Sequence, residues 1–463
     1  MSEIREGQIQ EENERAGVTR RGALRGLAGL AAGAAATVLV GGCSNSAAAT
    51  GTKSAPVIPD GERWSEDGDV VTNVQRIVSP MRGCEDGHQP GVMGSQQNVQ
   101  AVAFNMITED RDKVIKLLKE WTTAAENMCA GYPVKEPDAK KYSAPKDTGE
   151  AYDLGAAGLT ISFGLGATFF QTSDGKDRYG LASIKPEKLD AAMRKFPGDY
   201  LEDAECGGDL FLLIAAEDPK VCFHAMRNMV RIAYGKASIK WNKVGYYHTI
   251  SPEGYAHADR DLFGFRDGTT APDPGTEEGA KIWDECAWIA ADDDPNGKLY
   301  AGGTYMMWRA FNMKFESWDE QTLQEQERVI GRTKLEGIPL SGGDDESAEP
   351  DLKATDADGN ALIDPRSHIA CFRSYLNESG HYMCRWGWNW SNGIDGLGQL
   401  QGGMYTGGMA RDPEKDFYQY MDRWRDCDLT DYFKFTGSAV WLMLPGLKSD
   451  QEYIGQQLFE ATA

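Results

Sequence analysis

Two rhythms of apolar residues run through this chain. Short, nearly continuous apolar runs bounded by Gly, Pro, Asn or Asp predict buried strands. They are Gln100–Met106 (QAVAFNM), Leu159–Leu165 (LTISFGL), Asp209–Ala215 (DLFLLIA), Trp241–His248, Gly303–Phe315 (GTYMMWRAFNMKF) and Ala439–Leu444 (AVWLML). Helical spacing marks Asp110–Ala130, where Val114, Ile115, Leu117, Leu118, Trp121 and Ala125 recur and Gly131 stops the run. Pro219–Tyr234, Leu323–Arg332 and Pro413–Cys427 predict three more helices. Residues 71–90 read as a lead-in strand and loop, and 341–365 as a long acidic loop. Strands and helices alternate without the tight rhythm of a parallel sheet. The pattern predicts an α+β protein of two sandwich-like halves rather than a dinucleotide-binding fold.

Length agrees with that division, because 463 residues exceed one compact core and suit two domains. The net charge of -23 argues against a nucleic-acid partner and against adhesion to anionic lipid. The N-terminus has a different character. Thr19-Arg20-Arg21-Gly22-Ala23-Leu24-Arg25 precedes an apolar Gly/Ala-rich run from Leu27 to Val40. Paired arginines before a short apolar run mark a twin-arginine export signal, with Ala23 standing where a bulkier residue is common. Leu39-Val40-Gly41-Gly42-Cys43 closes the run as a lipoprotein signal would, with Cys43 lipidated. A plain cut near Ala47–Ala49 is the other reading. Residues 1–43 are thus read as signal, 44–70 as linker, 71–250 as a first domain and 251–463 as a second. The expected location is the periplasm or the outer face of the cytoplasmic membrane, touching lipid only through Cys43.

Chemistry is harder to read from composition. Nine cysteines include no CxxC pair, which disfavours zinc-finger and iron–sulfur sites, and disulfide pairing stays open. The six histidines include no pair at helical metal spacing, but a haem iron needs only one. Asp356-Ala357-Asp358-Gly359-Asn360 lacks the bidentate Glu of a calcium loop and reads as an acidic turn. No P-loop, helix-opening GxGxxG or GxSxG is present. Gly264-Phe265-Arg266-Asp267-Gly268-Thr269 places a carboxylate in a glycine-flanked turn, where a dry site would make Asp267 an acid or base. Arg385 sits among aromatics in Cys384-Arg385-Trp386-Gly387-Trp388-Asn389-Trp390 and suits either an anion or cation–π packing. Taken singly, each stretch has an ordinary structural explanation.

Taken in order, the motifs say more. HQPGV, RDKVIKLLKEWTTAAENMCAG, LTISFGLG, DRYGLA, FPGD, GGDL, HAMRNMVRIA, GFRDGT, WDEQTLQEQERVIGRTK, DADGN, DPRSHI, RWGWNW, GIDGLGQL and DYFKFTG run from about residue 70 to the C-terminus. The chain resembles the dye-decolourising peroxidases. It is most similar to their exported branch, which includes the peroxidase/deferrochelatase of bacterial iron-uptake operons. The resemblance implies two ferredoxin-like α+β domains with antiparallel sheets, of the dimeric α+β barrel type. One haem b per chain would be held mainly in the second domain. His368 would be the proximal ligand of the iron, Asp267 the distal acid/base and Arg385 the distal arginine. Gly268 and Thr269 would lie beside the haem, Arg309 near its propionates, and Asp431 would orient the His368 ring.

The implied function is oxidation of a small-molecule reductant by hydrogen peroxide. Iron release from haem, or ferrous-iron oxidation beside iron-uptake partners, is the alternative on the same site. A haem carrier would need neither Asp267 nor Arg385, and GFRDGT disfavours a chlorite-dismutase-like enzyme. A homodimer is compatible with the resemblance. Two departures stand out: Ala310 replaces a second arginine beside Arg309, and Gly403-Met404-Tyr405-Thr406-Gly407-Gly408-Met409 replaces bulkier residues that roof the pocket in relatives. A roof of small residues would widen access, and Met404 or Met409 would either pack or approach the iron.

Overall fold

The computed structural model describes Gln75, Met81 and residues 87–92, 96–135, 141–190, 192–247, 258–269, 271–274 and 276–463. The arginine pair, the apolar leader, Cys43, the linker and His248 lie outside the described residues. Among the described residues no helix is long and apolar enough to cross a membrane.

The first half builds strands β1 (Asn98–Met106), β2 (Thr160–Leu165), β3 (Leu210–Ala216) and β4 (Ala237–Tyr246). Helices α1 (Arg111–Cys129) and α2 (Pro219–Ala233) lie between them in the chain. The second half builds α3 (Glu277–Cys286), β5 (Thr304–Met313), α4 (Leu323–Ile330), α5 (His368–Ser379), β6 (Cys384–Ile394), β7 (Leu400–Ala410) and β8 (Phe433–Met443). Within each half the strands pair antiparallel in the same order, fourth–first–third–second, which is the ferredoxin-like arrangement. The two sheets then join edge to edge. Gly164 and Leu165 of β2 pair with Met443 and Leu442 of β8, and Tyr246 of β4 pairs with Asn389 of β6. The eight strands close into one barrel, which leaves no open sheet edge.

Strand alternation sorts the side chains into two cores. Ala101 and Ala103, Phe211 and Leu213, Trp308 and Ala310, and Ala439 and Trp441 point into the barrel. Their neighbours Val102, Phe104, Leu212, Met307 and Leu442 point outward beneath helices and loops. Both faces are buried, so these strands read as continuous apolar runs rather than alternating ones. The barrel interior is aromatic: Trp241, Trp308, Trp388, Tyr405 and Trp441 fill it from both halves. The two halves therefore share this core, where length alone suggested one each.

Local signals place the helices. Asp110 caps α1 by accepting the N–H groups of Asp112 and Lys113, and Asp218 caps α2 through Lys220 and Val221 with Pro219 in the first turn. The predicted helix over Pro413–Cys427 is broken instead into a π-turn (Glu414–Tyr418), an α-turn (Gln419–Asp422) and a 3-10 turn (Arg423–Asp426). The apolar pattern does not mark β6, β7, α3 or α5. In β6 and β7 the glycines at 387, 393, 402, 403, 407 and 408 hide the strand pattern.

Candidate active site

Outside β5, β6 and β7 the helices of the second half stand away from the sheet. They leave a cavity of about 1480 Å³ of non-atom space, its mouth included. Sequence-predicted residues Asp267, Gly268, Thr269, Arg309, His368 and Arg385 all line it.

One wall is the loop carrying Asp267. Phe263 and Phe265 anchor the loop, with Phe263 stacked 4.4 Å from Trp318 and 5.5 Å from Phe433. The Asp261 carboxylate accepts the N–H groups of Phe263 and Phe265 at 2.9 and 3.1 Å, which sets the turn. Arg260 donates to the carbonyls of Gly264 and Lys334, both at 2.7 Å. Beyond the turn, the Asp267 N–H donates to the Asp259 carbonyl at 2.8 Å.

Arg385 reaches Asp267 from β6. Period-two alternation sends Cys384, Trp386 and Trp388 into the barrel and Arg385 into the cavity. Both arginine Nη atoms meet the carboxylate in a bidentate pair, Nη1 lying 3.0 Å from Oδ2 and Nη2 against Oδ1. Burial opposes ionisation of Asp267, but the charge and hydrogen bonds of Arg385 outweigh it and hold the carboxyl below its usual range. Asp261 behaves in the opposite way. Burial, and then the charge of Asp267, push its carboxyl up to about 7.

That contrast has a measurable consequence. As the pH climbs from the ordinary carboxylate range toward 7, the folded protein keeps the Asp261 proton that the unfolded chain has lost. Stability therefore declines as the pH rises through that window. Asp261→Asn keeps an oxygen acceptor for the loop. It is expected to raise Tm by a few degrees at pH 8 and to change it little at pH 4. Equal Tm shifts at both pH values in thermal melts would refute a proton held on Asp261.

His368 lines the same cavity. It opens α5, directly after Ser367, whose hydroxyl caps the helix by accepting the Ala370 N–H at 3.4 Å. Gly331, left-handed at φ +91°, ends α4 against this cap. A Cβ there would sit 2.1 Å from Ile369, so only glycine allows the approach. The imidazole packs against Phe372 and Trp424, with ring centroids 4.7 and 5.5 Å away. Its Nδ1 is buried without a hydrogen-bond partner. Burial, reinforced by the positive charge of Arg385, pushes the ring down to about 4, so it is neutral at physiological pH. A neutral imidazole is what a metal ligand must be.

Arg309 is 1% exposed. It pairs with Asp199, a residue of the FPGD motif, and its guanidinium lies 4.5 Å from the Phe435 ring. Its Nε and Nη1 have no partner. An unpartnered imidazole nitrogen and two unpartnered guanidinium nitrogens fit a haem, which supplies an iron for one and carboxylates for the other.

Two expectations need correction. Asp431 does not orient His368. It is exposed, does not line the cavity, and its backbone carbonyl accepts Lys314 Nζ at 2.8 Å. It lies in the 3-10 turn Asp428–Tyr432, which turns it outward. Nor is the glycine-rich segment an open roof. It is strand β7, and its glycines make room for rings. A Cβ on Gly407 would lie 2.2 Å from Trp386, and one on Gly408 would lie 2.4 Å from Phe417. Met404 and Thr406 face the cavity, while Met409 is buried in the barrel interior. Ala310 faces the barrel interior as well, away from Arg309.

Cavity residues that motif reading passed over are Asp261, Arg332, Arg373, Phe372 and Trp424. Arg332 was visible in the GRTK run after α4. Its Nη1 donates to the carbonyls of Gly337 and Glu346 at 2.7 and 2.8 Å.

Residues 89–247 match the pattern described as Dyp-type peroxidase, N-terminal, and residues 258–448 match Dyp-type peroxidase, C-terminal. The chain belongs to the Dyp-type peroxidase family. Like other Dyp-type peroxidases, it is an oxidoreductase with haem as its cofactor. It is 30% identical to a protein named Deferrochelatase from Escherichia coli O6:K15:H31 over 458 residues, 97% of this chain and 99% of that one. The Escherichia coli K12 protein of the same name is 30% identical over 88% of this chain and 93% of its own. Among solved structures, DtpA from Streptomyces lividans superposes with a TM-score of 0.74 at 29% identity, covering 84% of this chain and 100% of its own. A Dyp-type peroxidase from Cellulomonas bogoriensis gives 0.72 at 29% identity, covering 84% and 99%.

Proposed function

We propose that this Dyp-type peroxidase binds one haem b in the cavity, with His368 as the iron ligand and with Asp267 and Arg385 handling hydrogen peroxide. The bidentate Arg385–Asp267 pair lining the same cavity as His368 carries this reading. Arg309, with two free guanidinium nitrogens, would bind a propionate, and Gly268 and Thr269 would border the haem edge. When bound, haem would supply the redox-active iron for reduction of peroxide. Asp267, held ionised by Arg385, takes the proton from one peroxide oxygen and delivers it to the other. Arg385 then stabilises the negative charge that develops as the O–O bond breaks. An electron donor completes the turnover.

The relatives named Deferrochelatase favour a second reading on the same site, release of iron from haem. Haem-loaded protein mixed with peroxide and a dye separates the two. Dye oxidation with the haem absorption intact is expected. Accumulation of fluorescent, iron-free porphyrin without dye turnover would favour iron release instead.

The sequence supports further proposals about setting. The Arg20-Arg21 pair and apolar run suit twin-arginine export, and Cys43 suits a lipid tether outside the cytoplasmic membrane. The division into signal (1–43), linker (44–70) and two halves meeting near residue 250 belongs to the same reading, as do a homodimer and iron-uptake partner proteins.

A further inference from the structure

Three distant segments converge behind the cavity wall. Cys286 is the last residue of α3, and its carbonyl accepts the Arg411 N–H at 2.6 Å. His381 follows Gly380, the end of α5, and its carbonyl accepts the Tyr420 hydroxyl at 2.5 Å. Asp416 sits in the π-turn Glu414–Tyr418. Single π-turns within helices are uncommon and concentrate at functional sites.

Their side chains face one another. One donor atom from each residue lies within 4.8 Å of the other two. Asp416 is 1% exposed and Cys286 3%, while the His381 side chain is 36% exposed. Asp416 Oδ1 lies 2.8 Å from His381 Nδ1, and its Oδ2 accepts the Asp412 N–H at 2.7 Å. A carboxylate–imidazole pair by itself requires no thiol beside it. The third donor, sulfur, makes the group a ligand set.

We propose that Cys286, His381 and Asp416 form a binding site for one divalent transition-metal ion of the zinc type, distinct from the haem iron. One sulfur, one nitrogen and one oxygen suit a borderline cation such as Zn²⁺, whereas Ca²⁺ and Mg²⁺ prefer oxygen alone. Thiolate and carboxylate together neutralise the dication. Binding displaces the Cys286 proton to solvent as the sulfur–metal bond forms. The half-exposed side of His381 leaves a path in and room for a water as fourth ligand. The proposal does not depend on the roles given to His368, Asp267 or Arg385.

The test uses haem-loaded protein exposed to Zn²⁺ and freed of excess metal. Mass-spectrometric metal counting is expected to find one zinc per chain beside the haem iron. Zinc-edge X-ray absorption is expected to show one sulfur at about 2.3 Å with nitrogen and oxygen completing the shell. Cys286→Ser and the half-exposed His381→Gln should each weaken zinc binding at least tenfold with the haem absorption preserved. Zinc well below one per chain, a shell without sulfur, or affinity untouched by His381→Gln would overturn the site.

Discussion

His368→Ala is expected to give a folded barrel that no longer retains haem. The reason is local. His368 lies outside the barrel interior, whose aromatic core of Trp241, Trp308, Trp388, Tyr405 and Trp441 does not include it. Removing the ring deletes the buried, neutral imidazole nitrogen without touching that packing. Among the described residues, no other histidine lines the cavity to replace it. Absorption of haem relative to protein, measured after reconstitution and desalting, should fall at least tenfold, while circular dichroism stays that of the parent. Full haem retention with an unchanged spectrum would assign the iron to another ligand.

The second large effect belongs to the distal pair. Asp267→Asn removes the proton acceptor but keeps the side-chain shape. The peroxide reaction, followed by stopped-flow on the haem absorption, should slow by about 10²–10⁴-fold. Arg385→Leu should slow it too, with a different signature in pH. With the guanidinium gone, burial loses its main opponent at Asp267, and the pKa rises. Asp267 works as a base only when ionised, so activity is lost as the pH falls through that pKa. The acid limb of the rate profile should therefore move to higher pH. A profile with its acid limb in place would mean that Arg385 does not hold Asp267 ionised.

The strands β1, β2, β3 and β5 and the helices α1 and α2 were legible in residue order, and Asp267 and Arg385 stood in distinctive stretches, whereas His368 was singled out only by the family resemblance. Apolar runs and capping residues are local properties, and Asp110 and Asp218 announce their helices without help from elsewhere. The motif order carried the family and with it the haem. Strands β6 and β7 were not legible, because Gly407 answers to the Trp386 ring of the neighbouring strand and Gly408 to the Phe417 ring of the following helical run, and not to strand propensity. The broken helix after Pro413 packs against β7 and lines the cavity, contacts that periodicity does not record.

What the sequence determined by itself is the inventory: which segments bury both faces, which turns are capped, and which charged residues stand among apolar neighbours. Only the tertiary structure decided what those residues face. Barrel closure put Arg385 against a carboxylate 118 residues earlier in the chain and brought His368, its Nδ1 buried and unpartnered, to the same cavity. It turned Asp431 to solvent and gathered Cys286, His381 and Asp416 from three segments. Alternation along a strand fixes which face a side chain takes, but the register between strands depends on the whole closed sheet. A distance between groups far apart in sequence is therefore set only when every strand is in place.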